Sequence, residues 1–209
     1  MTTEPGYHSI VQHYEACLAQ YGDTHAGVDW PNAADADKRY RVMLNVVREP
    51  AEPVSLLDFG CGAGHLVEHM QERKLNHISY AGLDVSPKFT ALSQKKYPAL
   101  PFYCMDVLKD HGALHLFDYI VMNGVFTEKR DMSHDAMFAY FTQLITLMFS
   151  KTKRGLAFNV MSKAVDWERD DLFHLSADVL INFLVKNLTR NFVIRNDYGL
   201  YEYTTYIYK

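Results

Sequence analysis

The chain has 209 residues, of which 48% are hydrophobic and 22% charged, and its formal net charge at pH 7 is −4. These proportions are typical of a globular protein, and the length is sufficient for one well-buried domain. Because nucleic-acid-binding proteins usually carry a basic surface, the slightly acidic balance argues mildly against DNA or RNA as a partner.

Two amphipathic helices are predicted before the first strand. Apolar residues recur at helical spacing between about residues 7 and 21, and again from Tyr40 to Val47, where Pro50 and Pro53 would end the second helix. A loop over residues 22–31 joins the two helices. Because neither helix belongs to a minimal sheet-and-helix core, we interpret residues 1–50 as a helical lid.

From residue 54 onwards, strands and helices alternate. The predicted strands cover residues 54–59, 79–84, 101–105, 117–122, 155–161, 191–195 and 201–208, and the predicted helices cover residues 64–73, 87–97, 133–149 and 177–188. Ser86 and Pro87 are typical first residues of a helix. This alternation, closed by a hairpin, predicts an α/β fold with a doubly wound, mostly parallel sheet and helices on both faces. We expect a single domain over residues 1–209, with its core at 54–209.

A glycine-rich loop follows the first predicted strand, in the run L-L-D-F-G-C-G-A-G at residues 56–64. Glycine has no Cβ, so the chain can turn tightly and its backbone can lie against a ligand. About twenty residues later a second strand ends in Asp84. Acids at these strand ends favour hydroxyl or ammonium donors and would repel phosphate. The pattern therefore predicts an adenosine ligand whose other end carries an amine.

This arrangement resembles the first two motifs of the class I, Rossmann-like S-adenosylmethionine-dependent methyltransferases, of the bacterial small-molecule type. The loop reads D-x-G-x-G-x-G, whereas the dinucleotide fingerprint would require a glycine at His65. The resemblance implies a seven-stranded sheet with an antiparallel last strand. It also implies S-adenosyl-L-methionine as cofactor and S-adenosyl-L-homocysteine as product.

The resemblance also assigns cofactor contacts to the carboxyl ends of the strands, where ligands bind in open α/β sheets. The methionine part is expected to contact Asp58, Gly60, Cys61 and Gly62, the ribose Asp84 and Val85, and the adenine Asp106 and Val107. Asn123, Gly124 and Val125 are expected beside the methyl group. The lid is expected to contribute Tyr14, together with Arg39 as a partner of the cofactor carboxylate. For the three acids an alternative stays open, since Asp58 and Asp84 could cap a turn or helix and Asp106 could be a surface acid. Trp30 and Tyr40 are further lid candidates.

Methyl transfer requires mainly alignment of the nucleophile with the methyl group and the sulfur. An amine nucleophile must be neutral but needs no strong base, whereas an alcohol would benefit from one. The candidate catalytic residues are His134, Asn123 and Asp131, with Glu128, Asn159 and Ser162 as further possibilities. Polar residues are common in surface loops, and Asp131 or Ser133 could simply cap the next helix.

The substrate class is less sharply defined. The fourth motif reads N-G-V-F at residues 123–126 and lacks the prolines found in relatives that methylate amides or base amines. We therefore predict an enzyme that methylates nitrogen or oxygen of a small polar metabolite, such as a sugar or a natural-product intermediate. A protein or RNA methyltransferase stays open and would gather a basic groove from Lys88, Lys129, Arg130 and Lys163. A non-catalytic cofactor-binding partner subunit and a homodimer also stay open.

Neither a metal nor a membrane partner is expected. His65 and His69 are spaced like metal ligands, with Cys61 four residues earlier, but Cys61 belongs to the glycine-rich loop. His111 and His115 have no third ligand nearby. The three cysteines are widely spaced and the N-terminus is polar, so we expect a cytoplasmic protein.

Overall fold

The computed structural model describes residues 6–48 and 52–209. The helices are α1 (His8–Tyr21), α2 (Ala33–Leu44), α3 (His65–Glu72), α4 (Pro87–Lys96), α5 (His134–Ser150) and α6 (Ala177–Asn187). The strands are β1 (Val54–Phe59), β2 (Ile78–Asp84), β3 (Phe102–Cys104), β4 (Phe117–Phe126), β5 (Thr152–Ser162), β6 (His174–Leu175), β7 (Phe192–Arg195) and β8 (Glu202–Tyr208). Pro50 lies outside the described residues. None of the helices in this part of the chain is long and apolar enough to cross a membrane.

Seven strands form one continuous sheet in the order β3-β2-β1-β4-β5-β8-β7. The neighbours from β3 to β5 are parallel, and β8 is antiparallel to both β5 and β7. The α/β fold with its antiparallel last strand is therefore confirmed. The strand order reverses beside β1, so a crevice opens between the carboxyl ends of β1 and β4.

Three elements differ from the sequence-based expectation. β6 was not expected, because a two-residue strand is too short to leave a hydrophobic pattern; it pairs with the end of β5. β4 continues to Phe126 through an irregular stretch of its pairing with β5, in which Gly124 takes a left-handed conformation (φ 78°). α2 begins earlier than expected, after Asn32, whose side chain accepts a hydrogen bond from the backbone N–H of Ala34 at 2.9 Å.

The hydrophobic core lies on both faces of the sheet. Alternating residues of β1 belong to different clusters, with Leu57 in the cluster that contains α5 and α6, and Leu56 in the one that contains α3. Val42 and Met43, near the end of α2, are fully buried in the second cluster. The C-terminal end of α2 is therefore part of the core. α1 lies over the crevice.

Candidate active site

A cavity lies at the carboxyl ends of β1, β2 and β4. The glycine-rich loop and the strand ends form its floor and walls, and Tyr14 of α1 and Trp30 of the following loop lie above them. Almost all of the expected cofactor residues line this cavity: Tyr14, Asp58, Gly60, Cys61, Gly62, Asp84, Val85, Asp106, Val107, Asn123, Gly124 and Val125. Residues from four separate strand ends therefore face one space.

The glycine-rich loop is held against the end of β2. The backbone N–H groups of Gly60 and Cys61 both donate to the carbonyl of Leu83, at 2.7 and 3.1 Å. Gly60 has a φ of 71°, and a Cβ at this position would lie 2.8 Å from Cγ2 of Val125. A larger residue would be strained and would push into the wall of the cavity, so this turn requires glycine.

Asp58 is a buried carboxyl group at the end of β1. Its side chain accepts a hydrogen bond at 2.9 Å from the hydroxyl of Tyr80. Burial, against the Tyr80 hydrogen bond and with a smaller contribution from the charge of Asp84, raises the pKa of Asp58 to about 7. A cationic group in the cavity would favour the ionised form of this side chain.

Asp84 ends β2 and has both oxygens tied to the backbone. One accepts from the N–H of Gly62 at 2.9 Å, and the other from the N–H of Ser86 at 2.8 Å. Burial raises the pKa of Asp84, against these hydrogen bonds. Each carboxylate oxygen can accept a second hydrogen bond, so the side chain can receive two hydroxyl groups from the cavity. Its fixed orientation suits a diol.

Asp106 lies beyond β3 and contacts α1. The hydroxyl of Tyr7 donates to it at 2.7 Å, and Nζ of Lys109 lies 3.2 Å away. Burial works against ionisation here, but these two contacts and the N–H of Leu108 leave the pKa of Asp106 lowered. Sequence reasoning missed Tyr7, because a tyrosine at the start of an amphipathic helix reads as a core residue.

The fourth strand brings Asn123 to the wall of the cavity. Oδ1 of Asn123 is buried and has no hydrogen-bond partner among the described residues. Its neighbour Gly124 has a φ of 78°, and a Cβ there would lie 2.9 Å from Cζ2 of Trp30. The N–H of Gly124 donates to Oδ1 of Asn159 at 2.8 Å. A donor group of a ligand would satisfy the Asn123 oxygen.

Arg39 is the expected cofactor residue that does not line the cavity. Its Nε donates to both oxygens of Glu202, at 3.0 and 2.9 Å, and its guanidinium lies 4.1 Å from the centre of the Trp30 ring. Glu202, which is 1% exposed, also accepts from Nδ2 of Asn159 at 2.9 Å. Arg39 is therefore engaged by a carboxylate of this chain. It joins Trp30, Glu202 and Asn159 in a network that ends at Gly124.

Two of the expected catalytic residues also lie away from the cavity. His134 is the first residue of α5, where its Nε2 lies 3.1 Å from the carbonyl oxygen of His174 and its ring packs on Phe173. Asp131 is exposed and lines a shallow surface groove behind Tyr7. Because the turn after β4 leads away from the crevice, neither side chain reaches it.

The remaining polar candidates are held by other parts of the chain. Glu128 is buried, which raises its pKa, and it lies 3.3 Å from Nη1 of Arg130. Asn159 lies beneath Gly124, and the hydroxyl of Ser162 accepts from the N–H of Ala164 at 3.0 Å. None of the three lines the cavity.

The four cations expected in a basic groove each have a partner. Lys88 pairs with Glu15 at 2.7 Å, and Lys163 lies 3.9 Å from Glu168. Arg130 contacts two acids, and Nζ of Lys129 donates to a backbone carbonyl at 3.2 Å. These side chains do not form an open cationic surface.

Comparisons with known proteins agree with this geometry. The family model described as "Methyltransferase domain" matches residues 57–144. A Mycobacterium tuberculosis protein named as a methyltransferase, Rv1506c, is 27% identical over 164 residues, which cover 76% of this chain and 95% of that protein.

Solved structures of similar fold were determined with the methyl donor or its product. One is the N-methyltransferase NodS from Bradyrhizobium japonicum WM9 with S-adenosyl-L-homocysteine, at a TM-score of 0.66 and 20% identity, covering 99% of both chains. Another is the magnesium protoporphyrin IX methyltransferase ChlM from Synechocystis PCC 6803 with S-adenosylmethionine, at a TM-score of 0.64 and 16% identity, covering 100% of this chain and 99% of that one.

Proposed function

We propose that this chain, which carries a class I, Rossmann-like methyltransferase domain, methylates nitrogen or oxygen of a small polar metabolite with S-adenosyl-L-methionine as the donor. The observation that carries the proposal is the convergence of Asp58, Asp84 and Asn123 on one cavity beside a bare glycine turn. Each of these side chains offers an oxygen acceptor, and the ligand that fits them needs an ammonium group and a diol.

The residues of the cavity fit this cofactor. Asp58 and the free Oδ1 of Asn123 would receive the ammonium group, and Asp84 would hold the two ribose hydroxyls through the acceptor sites that Gly62 and Ser86 leave open. Asp106, held by Tyr7, would lie near the adenine. Arg39 is excluded from the carboxylate-binding role by its pairing with Glu202.

Catalysis in this cavity would depend on positioning. When bound, the cofactor supplies an activated methyl group on a sulfonium centre. The chain contributes the rigid floor at Asn123 and Gly124, and Tyr14 and Trp30 cover it and exclude water. His134 and Asp131 do not line the cavity, so we propose a nucleophile that reacts in its neutral form without a strong base, such as an amine.

A small acceptor suits the surroundings of the cavity better than a macromolecule. The aromatic side chains of Tyr7, Tyr14, Trp30 and Tyr140 line it, as expected for a small-molecule site. The pairing of Lys88, Arg130 and Lys163 with acids argues against an anionic polymer. RNA binding would require free cations along a groove.

A thermal-shift screen tests the substrate class. The chain is saturated with S-adenosyl-L-homocysteine and exposed separately to amine-bearing metabolites, hydroxyl-bearing metabolites, short peptides and RNA. A ligand that binds only the folded state raises the melting temperature. We expect a hit among the small metabolites, followed by transfer of one methyl group to that compound in a mass-spectrometric assay. A hit and methylation confined to peptides or RNA would overturn the proposed substrate class.

A further inference from the structure

We propose that His13, Cys17 and Asp29 form a binding site for a zinc-class divalent cation at the edge of the lid. None of the three lines the cofactor cavity. Nε2 of His13, Sγ of Cys17 and a carboxylate oxygen of Asp29 all lie within 4.8 Å of one another. The inference is independent of the substrate and of the cofactor.

The local backbone brings these side chains together. His13 and Cys17 are four residues apart on α1, so they lie on the same face of the helix. Asp29 ends the 3-10 turn at Ala26–Val28 in a left-handed conformation, with a φ of 58°. A left-handed conformation is uncommon for a residue other than glycine, although aspartate tolerates it better than most. Here it places the carboxylate beside the helix.

The interatomic distances suit tetrahedral coordination. Nε2 of His13 is 2.8 Å from Oδ2 of Asp29 and 3.8 Å from Sγ of Cys17. Ligand atoms bound at 2.0–2.3 Å to one zinc ion lie roughly 3.3–3.5 Å apart in a tetrahedron. A shift of a few tenths of an ångström would bring the two distances into this range.

The direction of the contacts excludes a cysteine–histidine–aspartate relay. In such a relay the two imidazole nitrogens are used separately, one towards the nucleophile and one towards the acid. Here the thiol and the carboxylate both face Nε2 of His13. One ring nitrogen cannot satisfy both partners with a single hydrogen bond, whereas a cation between the three atoms would contact all of them.

The charges around the three atoms favour a cation. Two acids, Asp29 and the buried Glu128, act electrostatically on Cys17 against one cation, Arg130, whose guanidinium also contacts Glu128 and Asp171. A mixed nitrogen, sulfur and oxygen set selects zinc or a similar metal over Mg²⁺ or Ca²⁺.

A second cluster in the described part of the chain makes a useful contrast. Asp23, His65 and Glu68 also lie within 4.8 Å of one another. Nζ of Lys96, however, lies 2.8 Å from Asp23 and 2.9 Å from Glu68, so this cluster already holds a cation of the chain itself. His13, Cys17 and Asp29 contact no lysine or arginine in the ion pairs described.

The position of the site suggests what the cation would do. His13 precedes Tyr14 and Asp29 precedes Trp30, and both aromatic residues line the cavity. A cation would tie α1 to the Trp30 loop and restrict both parts of the lid. This proposal departs from the expectation of no metal, which considered only the histidine pairs at 65 and 69 and at 111 and 115.

Titration of the chelator-treated full chain with Co²⁺ and with Zn²⁺ tests the site. We expect one equivalent of Co²⁺ to bind with release of protons and to give a thiolate-to-cobalt absorption band, which disappears when Zn²⁺ displaces the Co²⁺. Since loss of an outer-shell partner costs about 10–100-fold in affinity, removal of a direct ligand in Cys17→Ala or His13→Gln should cost more than about 100-fold. Circular dichroism verifies that each variant is folded.

Two matched variants separate this site from other metal-binding groups. Cys104→Ser removes an exposed thiol, and His65→Gln alters the second cluster; both should bind Co²⁺ like the unmodified chain. The proposal is overturned if the unmodified chain binds no stoichiometric Co²⁺ or Zn²⁺, if folded Cys17→Ala retains full affinity, or if binding is lost in Cys104→Ser or His65→Gln.

Discussion

The buried carboxyl group of Asp58 makes the affinity for an ammonium-bearing ligand depend on pH. Burial raises the pKa of Asp58 to about 7, close to 3 units above its ordinary value of 3.8. Because an ammonium group favours the ionised carboxyl, binding below pH 7 must also remove this proton, at a cost of about 1.4 kcal/mol for each pH unit below 7. Below pH 7 the apparent affinity should therefore fall by about tenfold per pH unit, and above it the affinity should level off.

Calorimetry at several pH values measures this effect with S-adenosyl-L-homocysteine. We expect binding to weaken about tenfold between pH 8 and pH 6. 5′-Methylthioadenosine, which lacks the amino-acid part, serves as the control, because it still contacts Asp84 but has no ammonium group. Its affinity should not follow the same profile, and the profile should disappear in Asp58→Asn. Equal pH profiles for the two ligands, or a profile that persists in Asp58→Asn, would refute the assignment.

The same pKa has an effect of defined sign on stability. The folded pKa of Asp58 lies above the unfolded value, so the folded state binds the proton more tightly. The contribution of Asp58 to the free energy of unfolding therefore declines as the pH rises from about 4 to about 7, and it stays low above that range. In Asp58→Asn this decline should be absent.

Three further substitutions test the rest of the site. Asp84→Asn leaves only one oxygen acceptor for the N–H groups of Gly62 and Ser86 and removes the charge that holds the diol. Loss of about 3 kcal/mol in hydrogen bonds to a charged group should weaken the binding of S-adenosyl-L-homocysteine about 100-fold, as measured by calorimetry. An affinity within a factor of two of the unmodified chain would contradict this. Glu202→Gln removes the negative charge that pairs with the mostly buried Arg39, so chemical denaturation should show a loss of about 3–5 kcal/mol in the free energy of unfolding. Glu52→Gln, in an exposed pair, should change it little, and equal losses would be inconsistent with the network. Gly124→Ala places a Cβ 2.9 Å from Trp30 at a residue with a positive φ, so it should reduce both cofactor affinity and methyl transfer. Gly112→Ala is the control, because a Cβ at Gly112 would meet no atom closer than 3.6 Å. Unaltered activity in folded Gly124→Ala would show that Trp30 need not lie against Gly124.

The floor of the cavity was predictable from the sequence because its features are local. Asp58, Gly60 and Gly62 lie where a strand passes into a glycine-rich turn, and Asp84 lies at the end of the next strand. Both glycines have positive φ values. Parallel strands then bring these ends to one edge of the sheet whatever the surface sequence is. This geometric constraint explains why twelve of the thirteen expected cofactor residues line one cavity, Arg39 being the exception.

The remaining features depend on long-range pairs that leave no local pattern. Arg39 and Glu202 are separated by 163 positions. An acid at the start of the tyrosine-rich strand β8 was a signal of a buried partner, but nothing in the sequence named Arg39 as that partner. Similarly, the path of the turn after β4, which takes His134 away from the crevice, depends on packing against Phe173. The role of α2 in the core depends on its contact with the sheet.

Isothermal calorimetry of the full chain with S-adenosyl-L-methionine and S-adenosyl-L-homocysteine tests whether the cavity at the strand ends binds this cofactor. We expect one site per chain for each ligand, with binding severely weakened in Asp84→Asn and retained in Asp170→Asn, which changes an exposed acid. A folded chain that binds neither compound, or that binds both equally well with and without the Asp84 carboxylate, would contradict it.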